Sequence, residues 1–102
     1  MYRVYFIYPM TSQQFDGEGL KKYVKWVQER LGDDCLGAGC GLADLAETQP
    51  IFGNAYKGLA YFDFVGRLEA FDAFDRKDFV EILDKMLDFT DTPPELQGVF
   101  VD

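Results

Sequence analysis

The sequence contains no histidine, only two cysteines and no long hydrophobic run. Histidine is the side chain that titrates nearest neutral pH, so its absence removes the usual proton shuttle. Cys35 and Cys40 are five residues apart, which is not the spacing of a zinc-ligand pair or a redox pair. We expect two buried structural thiols, no disulfide, no metal and no cofactor.

No segment is apolar enough to span a bilayer, and the first apolar run is too short for a signal peptide, so we expect a cytoplasmic protein.

Basic residues are also scarce. Ten Lys and Arg stand against eighteen Asp and Glu, which gives a net charge of −8. This charge repels phosphate backbones and anionic lipids, so neither nucleic acid nor a membrane surface is an expected partner. The 102 residues are 48% hydrophobic and 17% aromatic, which predicts one folded domain over residues 1–102. The many aromatic rings build the core, or they line an interface or a pocket.

Four strands are predicted from runs of β-branched and aromatic residues. They cover residues 2–8, 35–45, 56–64 and 96–101. The first and third have apolar residues on both faces, which is typical of a sheet covered on both sides. The second contains Gly37, Gly39 and Gly41 and is expected to be weak, bent or bulged. No helix start follows its GAGCG segment, so this is not a phosphate loop.

Two helical regions separate these strands. Asp16 opens the first, Glu18 lies in its first turn, and Gly32 ends it. The second covers residues 68–87 with a break near Asp75. Its predicted buried stripe consists of Leu68, Phe71, Phe74, Phe79, Ile82, Leu83 and Met86. Residues 47–55 form a turn-rich connection between the second and third strands.

The resulting order is β-α-β-β-α-β, an α+β, ferredoxin-like arrangement with a four-stranded antiparallel sheet and helices on one face. The fourth strand is expected at or near a sheet edge. Two helices cover only one face, so residues such as Tyr5, Ile7 and Val99, or their alternates, remain exposed on the other. An apolar patch of that size predicts a partner. A second copy packing sheet on sheet is the expected one, which makes the protein a homodimer.

Short motifs at both ends of the chain resemble those of a known family. The segments YFDF, LEAFDAF and LDFTDTPPELQGVF resemble the closing pattern of the EthD-like proteins, in the dimeric α+β barrel superfamily. VYFIYPM and the following FD are similar to the opening of that family. The RedY-like proteins of pigment biosynthesis share the same style of turn and are a second candidate. The resemblance implies a dimeric α+β barrel that acts by proton transfer on a small aromatic or polyketide-like molecule.

The chain departs from the EthD-like pattern in two places. The family usually has a histidine in its first helix, where this chain reads Lys22-Tyr23-Val24. Val65-Gly66-Arg67 is an apparent insertion between FDF and LEAF. Whatever chemistry the family histidine performs, this protein lacks that group.

The remaining candidates for chemistry are tyrosines and a carboxylate. We expect Tyr5, Tyr23, Tyr61 and Asp63 to line a cavity between the sheet and the first helix, beside Trp26. In that setting Asp63 is a candidate general base with a raised pKa, and Tyr61 and Tyr5 are candidates to hold or protonate an enolate oxygen. Tyr23 and Trp26 are candidate ligand contacts. Arg3 is a candidate clamp for a substrate carboxylate.

Each candidate also has a structural interpretation. The tyrosines are core rings with their hydroxyls at the surface, Trp26 packs, Asp63 caps a helix or ends an exposed strand, and Arg3 is solvated or paired with an acid. Two functions therefore stay open at this point. One is an enzyme of proton transfer (cyclisation, isomerisation or degradation), and the other is a non-catalytic ligand-binding or accessory protein. Whether the protein is an enzyme is left open.

The segment that precedes the last strand has a structural signature. Phe89 follows Ile82 and Met86 at helical spacing, which predicts a buried ring. Thr90 or Asp91 should accept backbone amides of the turn, and the prolines that follow forbid further helix. We expect a structural hinge that directs the last strand into the sheet.

Overall fold

The computed structural model describes residues 1–43, 56–76 and 79–102. The elements are β1 (Tyr2–Pro9), α1 (Gly17–Leu31), β2 (Gly37–Leu42), β3 (Tyr56–Phe64), α2 (Arg67–Arg76), α3 (Phe79–Asp84) and β4 (Glu95–Phe100). Short 3-10 turns follow α1 at Gly32–Asp34 and α3 at Lys85–Asp88. The predicted α+β order is confirmed.

The four strands form one antiparallel sheet in the order β2-β3-β1-β4. This is the ferredoxin-like order, and β4 lies at an edge as predicted. β3 has its predicted bounds, and β1 and β4 differ from theirs by one residue at one or both ends. β2 begins two residues later than predicted and ends at Leu42, and the last two residues of its predicted range, 44–45, lie outside the described residues. The turn-rich connection of residues 47–55 lies outside the described residues.

Helix α1 begins and ends at the predicted residues. The Asp16 side chain accepts a hydrogen bond from the Glu18 amide at 3.1 Å, which satisfies an N-terminal amide that the helix leaves unpaired. Gly32 has a φ of 66°, in the left-handed region that a glycine adopts without a Cβ penalty, and its N–H donates to the carbonyl of Gln28. Local sequence therefore determines both ends of the helix.

The core lies between the helices and one face of the sheet. Its members are Tyr2, Phe6, Tyr8, Leu20, Tyr23, Val24, Val27, Leu31, Ala60, Phe62, Phe64, Ala70, Ala73, Phe74, Ile82, Met86 and Phe89. The buried phenols have partners: the Tyr23 hydroxyl donates to the Ile82 carbonyl at 2.6 Å, and that of Tyr8 donates to Met86 Sδ at 3.2 Å. Burial raises the pKa of Tyr8 and Tyr23. Both act as core residues that tie the sheet and α1 to the α3 region.

Helix α2 is oriented differently from the prediction. Leu68 and Phe71 are 73% and 60% exposed, so their assignment to the buried stripe is wrong. Ala70, Ala73 and Phe74 are the buried residues of this helix. Because two of these contacts are alanines, α2 packs on the sheet through a narrow strip of small side chains, and its larger apolar residues lie beside the contact. The rest of the predicted stripe is confirmed as buried or half-buried.

The segment before β4 is built as predicted. Phe89 is buried, and its ring lies 5.5 Å from Tyr8, 6.0 Å from Phe15 and 5.2 Å from Tyr23. The hydroxyl of Thr90 accepts the Thr92 amide at 3.3 Å, as the turn prediction required. The ring therefore anchors the turn in the core.

A polar network joins this turn to the loop between β1 and α1. The buried Ser12 hydroxyl donates to Asp91 Oδ1 at 2.7 Å and lies 3.0 Å from the Thr90 hydroxyl. Backbone bonds run from the Asp91 amide to the Gln14 carbonyl at 3.1 Å and from the Asp16 amide to the Phe89 carbonyl at 2.8 Å. Lys57 donates to the Ser12 carbonyl. Together these contacts make the turn a fixed structural hinge.

Candidate functional site

One face of the sheet carries no helix in the described part of the chain. Strand register places the following residues on it, and we call it the open face: Arg3, Tyr5 and Ile7 of β1, Gly37, Gly39 and Gly41 of β2, Leu59, Tyr61 and Asp63 of β3, and Glu95, Gln97 and Val99 of β4. Their neighbours along each strand, such as Phe6 and Phe62, point to the helices. The open face is therefore mixed in character, with apolar residues around a charged centre.

Four of the six candidate residues meet at that centre, and we call them the Arg3 cluster: Arg3, Tyr5, Tyr61 and Asp63. Arg3 Nε donates to Asp63 Oδ1 at 2.7 Å, and Nη2 donates to Asp63 Oδ2 at 3.1 Å. Arg3 Nη1 lies 3.4 Å from the Tyr5 hydroxyl, and the guanidinium carbon lies 4.1 Å from the centre of the Tyr61 ring. The hydrogen bonds to Asp63 and then Tyr5 raise the pKa of Arg3. It stays cationic at all physiological pH values.

Gly39 of β2 leaves room for this cluster. A Cβ on Gly39 would lie 2.6 Å from the Tyr61 hydroxyl oxygen, closer than real side chains allow. The Tyr61 ring therefore lies flat over the backbone of β2. The glycine-rich strand that looked weak in the sequence is the surface on which this ring rests.

The predicted cavity between the sheet and α1 is wrong. Tyr5, Tyr61 and Asp63 lie on the open face, whereas Tyr23 is buried under α1 on the opposite face. Trp26 is half-buried, stacked on Tyr23 with ring centres 6.3 Å apart, and approached by Arg30 at 5.2 Å. The contacts of Trp26 match its packing interpretation. Tyr23 is a core ring, but its hydroxyl is buried against the Ile82 carbonyl, so the expectation of a surface hydroxyl is wrong for this residue. The alternation of residues along β1 and β3 predicts that Tyr5, Tyr61 and Asp63 lie on the face opposite to Phe6 and Phe62, because successive residues of a strand point to opposite faces of the sheet.

The Arg3 cluster is poorly arranged for proton abstraction. Asp63 is only 7% exposed, so its interpretation as an exposed strand end is wrong, and both its oxygens accept from Arg3. A carboxylate held at two points by a guanidinium is a strong, directional ion pair. Arg3 is thus paired with an acid, as its structural interpretation anticipated.

Cys35 and Cys40 are free thiols and are half-buried, so the prediction of two buried thiols is wrong. Cys35 Sγ donates to the carbonyl of Gly37 at 3.1 Å, and burial raises the pKa of its thiol. A thiol with a raised pKa is a weak nucleophile at neutral pH.

An apolar cleft of about 750 Å³, which we call the α2–β4 cleft, lies between α2 and the edge of the sheet at β1 and β4. Its lining residues are Tyr2, Val4, Phe6, Leu68, Phe71, Asp72, Phe74, Asp75, Phe79, Leu96, Gln97 and Gly98. None of the six candidate residues is among them. The cleft exists because α2 covers β1 and β3 and does not reach across β4. The sequence does not predict this cleft, because helical spacing assigns Leu68 and Phe71 to the core.

Tyr2 forms part of the cleft floor. A Cβ on Gly98 would lie 1.7 Å from the Tyr2 hydroxyl oxygen, so only glycine leaves space for this side chain against β4. The Tyr2 ring also meets Phe100 edge-on, with centres 5.0 Å apart. Glycine on β4 therefore brings a phenol to the floor of the cleft.

No helix within the described residues is long and apolar enough to cross a membrane.

Comparison with known proteins identifies the fold. No protein-family model matches the chain, and no curated protein matches it in sequence. Among solved structures, an EthD-like protein from Ralstonia eutropha JMP134 superimposes with a TM-score of 0.79 over 96% of this chain and 88% of that one, at 24% identity. A protein from Arabidopsis thaliana superimposes with a TM-score of 0.66 over 99% of this chain and 94% of that one, at 11% identity. These similarities establish a shared ferredoxin-like fold, and the first of them supports the resemblance to the EthD-like proteins.

Proposed function

We propose that this protein binds a small, largely aromatic molecule in the α2–β4 cleft. The observation that carries the proposal is the cleft itself. Its volume of about 750 Å³ lies within the range of roughly 300–1,000 Å³ that is usual for small-molecule sites. Exposed Leu68, Phe71 and Leu96 and half-buried Phe79 line it, and aromatic rings offer large contact areas to a flat ligand.

The role proposed is ligand binding without catalysis. Asp63, Tyr61 and Tyr5 lie on the opposite face of the sheet from the cleft, so they have no access to a molecule bound there. Asp63 is moreover engaged by Arg3 at both oxygens. We therefore assign the Arg3 cluster to the organisation of the open face, and we propose no reaction step for it.

The open face is proposed to pack against the same face of a second copy. Half-buried Tyr5, Ile7 and Leu59 and exposed Val99 would become buried in such a dimer, which supports the proposal. Sheet-on-sheet packing would also cover the Arg3–Asp63 pair. Free Cys35 and Cys40 suit the reducing cytoplasm, where we place the protein.

The binding proposal is tested with N-phenyl-1-naphthylamine, a neutral aromatic dye that fluoresces in apolar surroundings. We expect saturable binding to the wild-type protein. Phe71→Ser removes an exposed ring of the cleft wall and should weaken binding roughly threefold to tenfold through lost apolar contact.

Val80→Ser is the matched control, because Val80 is similarly exposed, on α3, and does not line the cleft. Absence of saturable binding, or equal losses in both variants, would exclude the cleft as the binding site.

A further inference from the structure

We infer that the ligand of the α2–β4 cleft is an aromatic molecule bearing a hydrogen-bond donor, such as a phenol or an amine, and that the cleft selects against carboxylates and sulfonates. This inference rests on the proposed function and specifies the chemistry of that site. It follows from which charged groups line the cleft.

Helix α2 presents two acids on the edge that faces the cleft. Leu68, Phe71, Asp72 and Asp75 follow one another at helical spacings of three, one and three residues, and all four line the cleft. The buried residues Ala70, Ala73 and Phe74 lie on the adjacent side of the helix. An apolar ligand that contacts Leu68 and Phe71 therefore lies beside two carboxylates.

The charge of these acids is only partly compensated. Asp72 pairs with Arg76 at 3.0 Å, but Arg76 also pairs with Asp34 at 2.7 Å, so one cation serves two acids. Asp75 has no ion pair within the described residues. No lysine or arginine is among the cleft-lining residues that the structure describes. An anionic ligand head would therefore lie in a negative field that low-dielectric walls reinforce.

The polar chemistry of the cleft also favours donors. An ionised carboxylate only accepts hydrogen bonds, so Asp72 and Asp75 bind hydroxyl and amino groups and repel carboxylates. The Tyr2 hydroxyl on the floor can donate or accept. A flat ring with an O–H or N–H directed to α2 satisfies both the apolar walls and the acidic rim.

Two dyes that differ by one anionic group test the inference. N-phenyl-1-naphthylamine carries an aromatic body and an N–H donor, and 8-anilino-1-naphthalenesulfonate is the same molecule with a sulfonate added. We expect the wild-type protein to bind the sulfonated dye roughly tenfold more weakly, because two nearby like charges oppose it. High salt should reduce the difference between the two affinities, because it screens the repulsion between the sulfonate and the carboxylates.

Asp72→Asn with Asp75→Asn removes both charges at nearly constant volume and should bring the two affinities together. Glu18→Gln with Glu29→Gln makes the same change in net charge on α1, outside the cleft, and should leave the affinity ratio unchanged.

Equal or tighter binding of the sulfonated dye to the wild-type protein would overturn the inference while leaving the binding function intact. A ratio that the two Asn substitutions do not change would overturn it as well. If neither dye binds, the proposed function fails and the inference fails with it.

Discussion

Arg3 and Asp63 lie directly opposite each other on β1 and β3 and are joined by two hydrogen bonds, of 2.7 and 3.1 Å. Tyr61 covers the guanidinium and lies on Gly39. The pair is the most enclosed of the ion pairs in the described residues, with side chains 25% and 11% exposed. The pair lies at the centre of the open face, which the second copy would cover in the proposed dimer.

The Arg3–Asp63 pair should show strong coupling in a double-mutant cycle. Arg3→Met and Asp63→Leu should each lower the thermal midpoint, because each leaves one charge enclosed without its partner. The double variant should be less destabilised than the sum of the two. Thermal unfolding at one fixed protein concentration measures this. The more exposed Arg76–Asp34 pair is the control, and additive effects at Arg3 and Asp63 would contradict the expectation.

The proposed dimer should dissociate when the open face is charged. Ile7→Glu places a carboxylate at the proposed sheet-on-sheet contact, where burial without a partner is costly. Light scattering should then report a monomer, whereas the wild-type protein and the control Val80→Glu should remain dimers. A wild-type protein that is a stable monomer at micromolar concentration would refute the dimer.

Phe89 should be among the most sensitive core positions. Phe89→Ala removes a ring that is 4% exposed and should lower the free energy of unfolding by roughly 3–5 kcal/mol. Leu87→Ala changes a neighbouring side chain that is 73% exposed and should have an effect of about 0.5 kcal/mol or less. Urea denaturation midpoints compare the two. If Phe89→Ala unfolds at the wild-type midpoint, the ring is not part of the core.

The hydrogen bonds of the Asp91 side chain in the hinge should make the free energy of unfolding decrease at acid pH. The hydrogen bond from Ser12 is the main cause that lowers the pKa of Asp91 below its ordinary value. A carboxylate with a lowered folded pKa contributes stability above its unfolded pKa of about 3.9, and this is lost as pH falls through the folded pKa. Asp91→Asn should therefore be less stable than wild type at pH 7, and the gap should close below about pH 4.

Denaturation midpoints over a pH series measure this closing gap. Ser12→Ala should show the same pattern, since it removes the main cause of the lowered pKa. Asp33→Asn, at an exposed acid, is the control and should not show it. A gap between wild type and Asp91→Asn that stays constant with pH would contradict the assignment.

The order of elements and most of the core follow from local signals. The caps at Asp16 and Gly32, the alternation in β1 and β3 and the ring of Phe89 each depend on residues close in sequence, and each lies where it was predicted. The order β-α-β-β-α-β predicts β4 at or near an edge because it leaves few other arrangements.

The site was not predictable in the same way. The cleft depends on how far α2 extends over the sheet. The spacing of apolar residues within α2 does not predict this, because it is a property of the tertiary packing. Spacing alone allowed Leu68 and Phe71 to be core residues, because a helix with apolar residues on more than one side has no unique buried face. Arg3 and Asp63 are sixty residues apart, and only the β1–β3 register places them opposite each other.

The bonds between the loop before α1 and the turn before β4 also bear on how the protein opens. The Phe15–Thr90 bridge and the two flanking backbone bonds connect segments that are far apart in sequence. If one segment moves away while the other stays in place, the bonds that join the two segments must break. In amide hydrogen exchange, Asp16 and Asp91 should therefore exchange as one cooperative unit, at a common opening free energy, although the chain between them includes α1, α2, α3 and two strands of the sheet, β2 and β3.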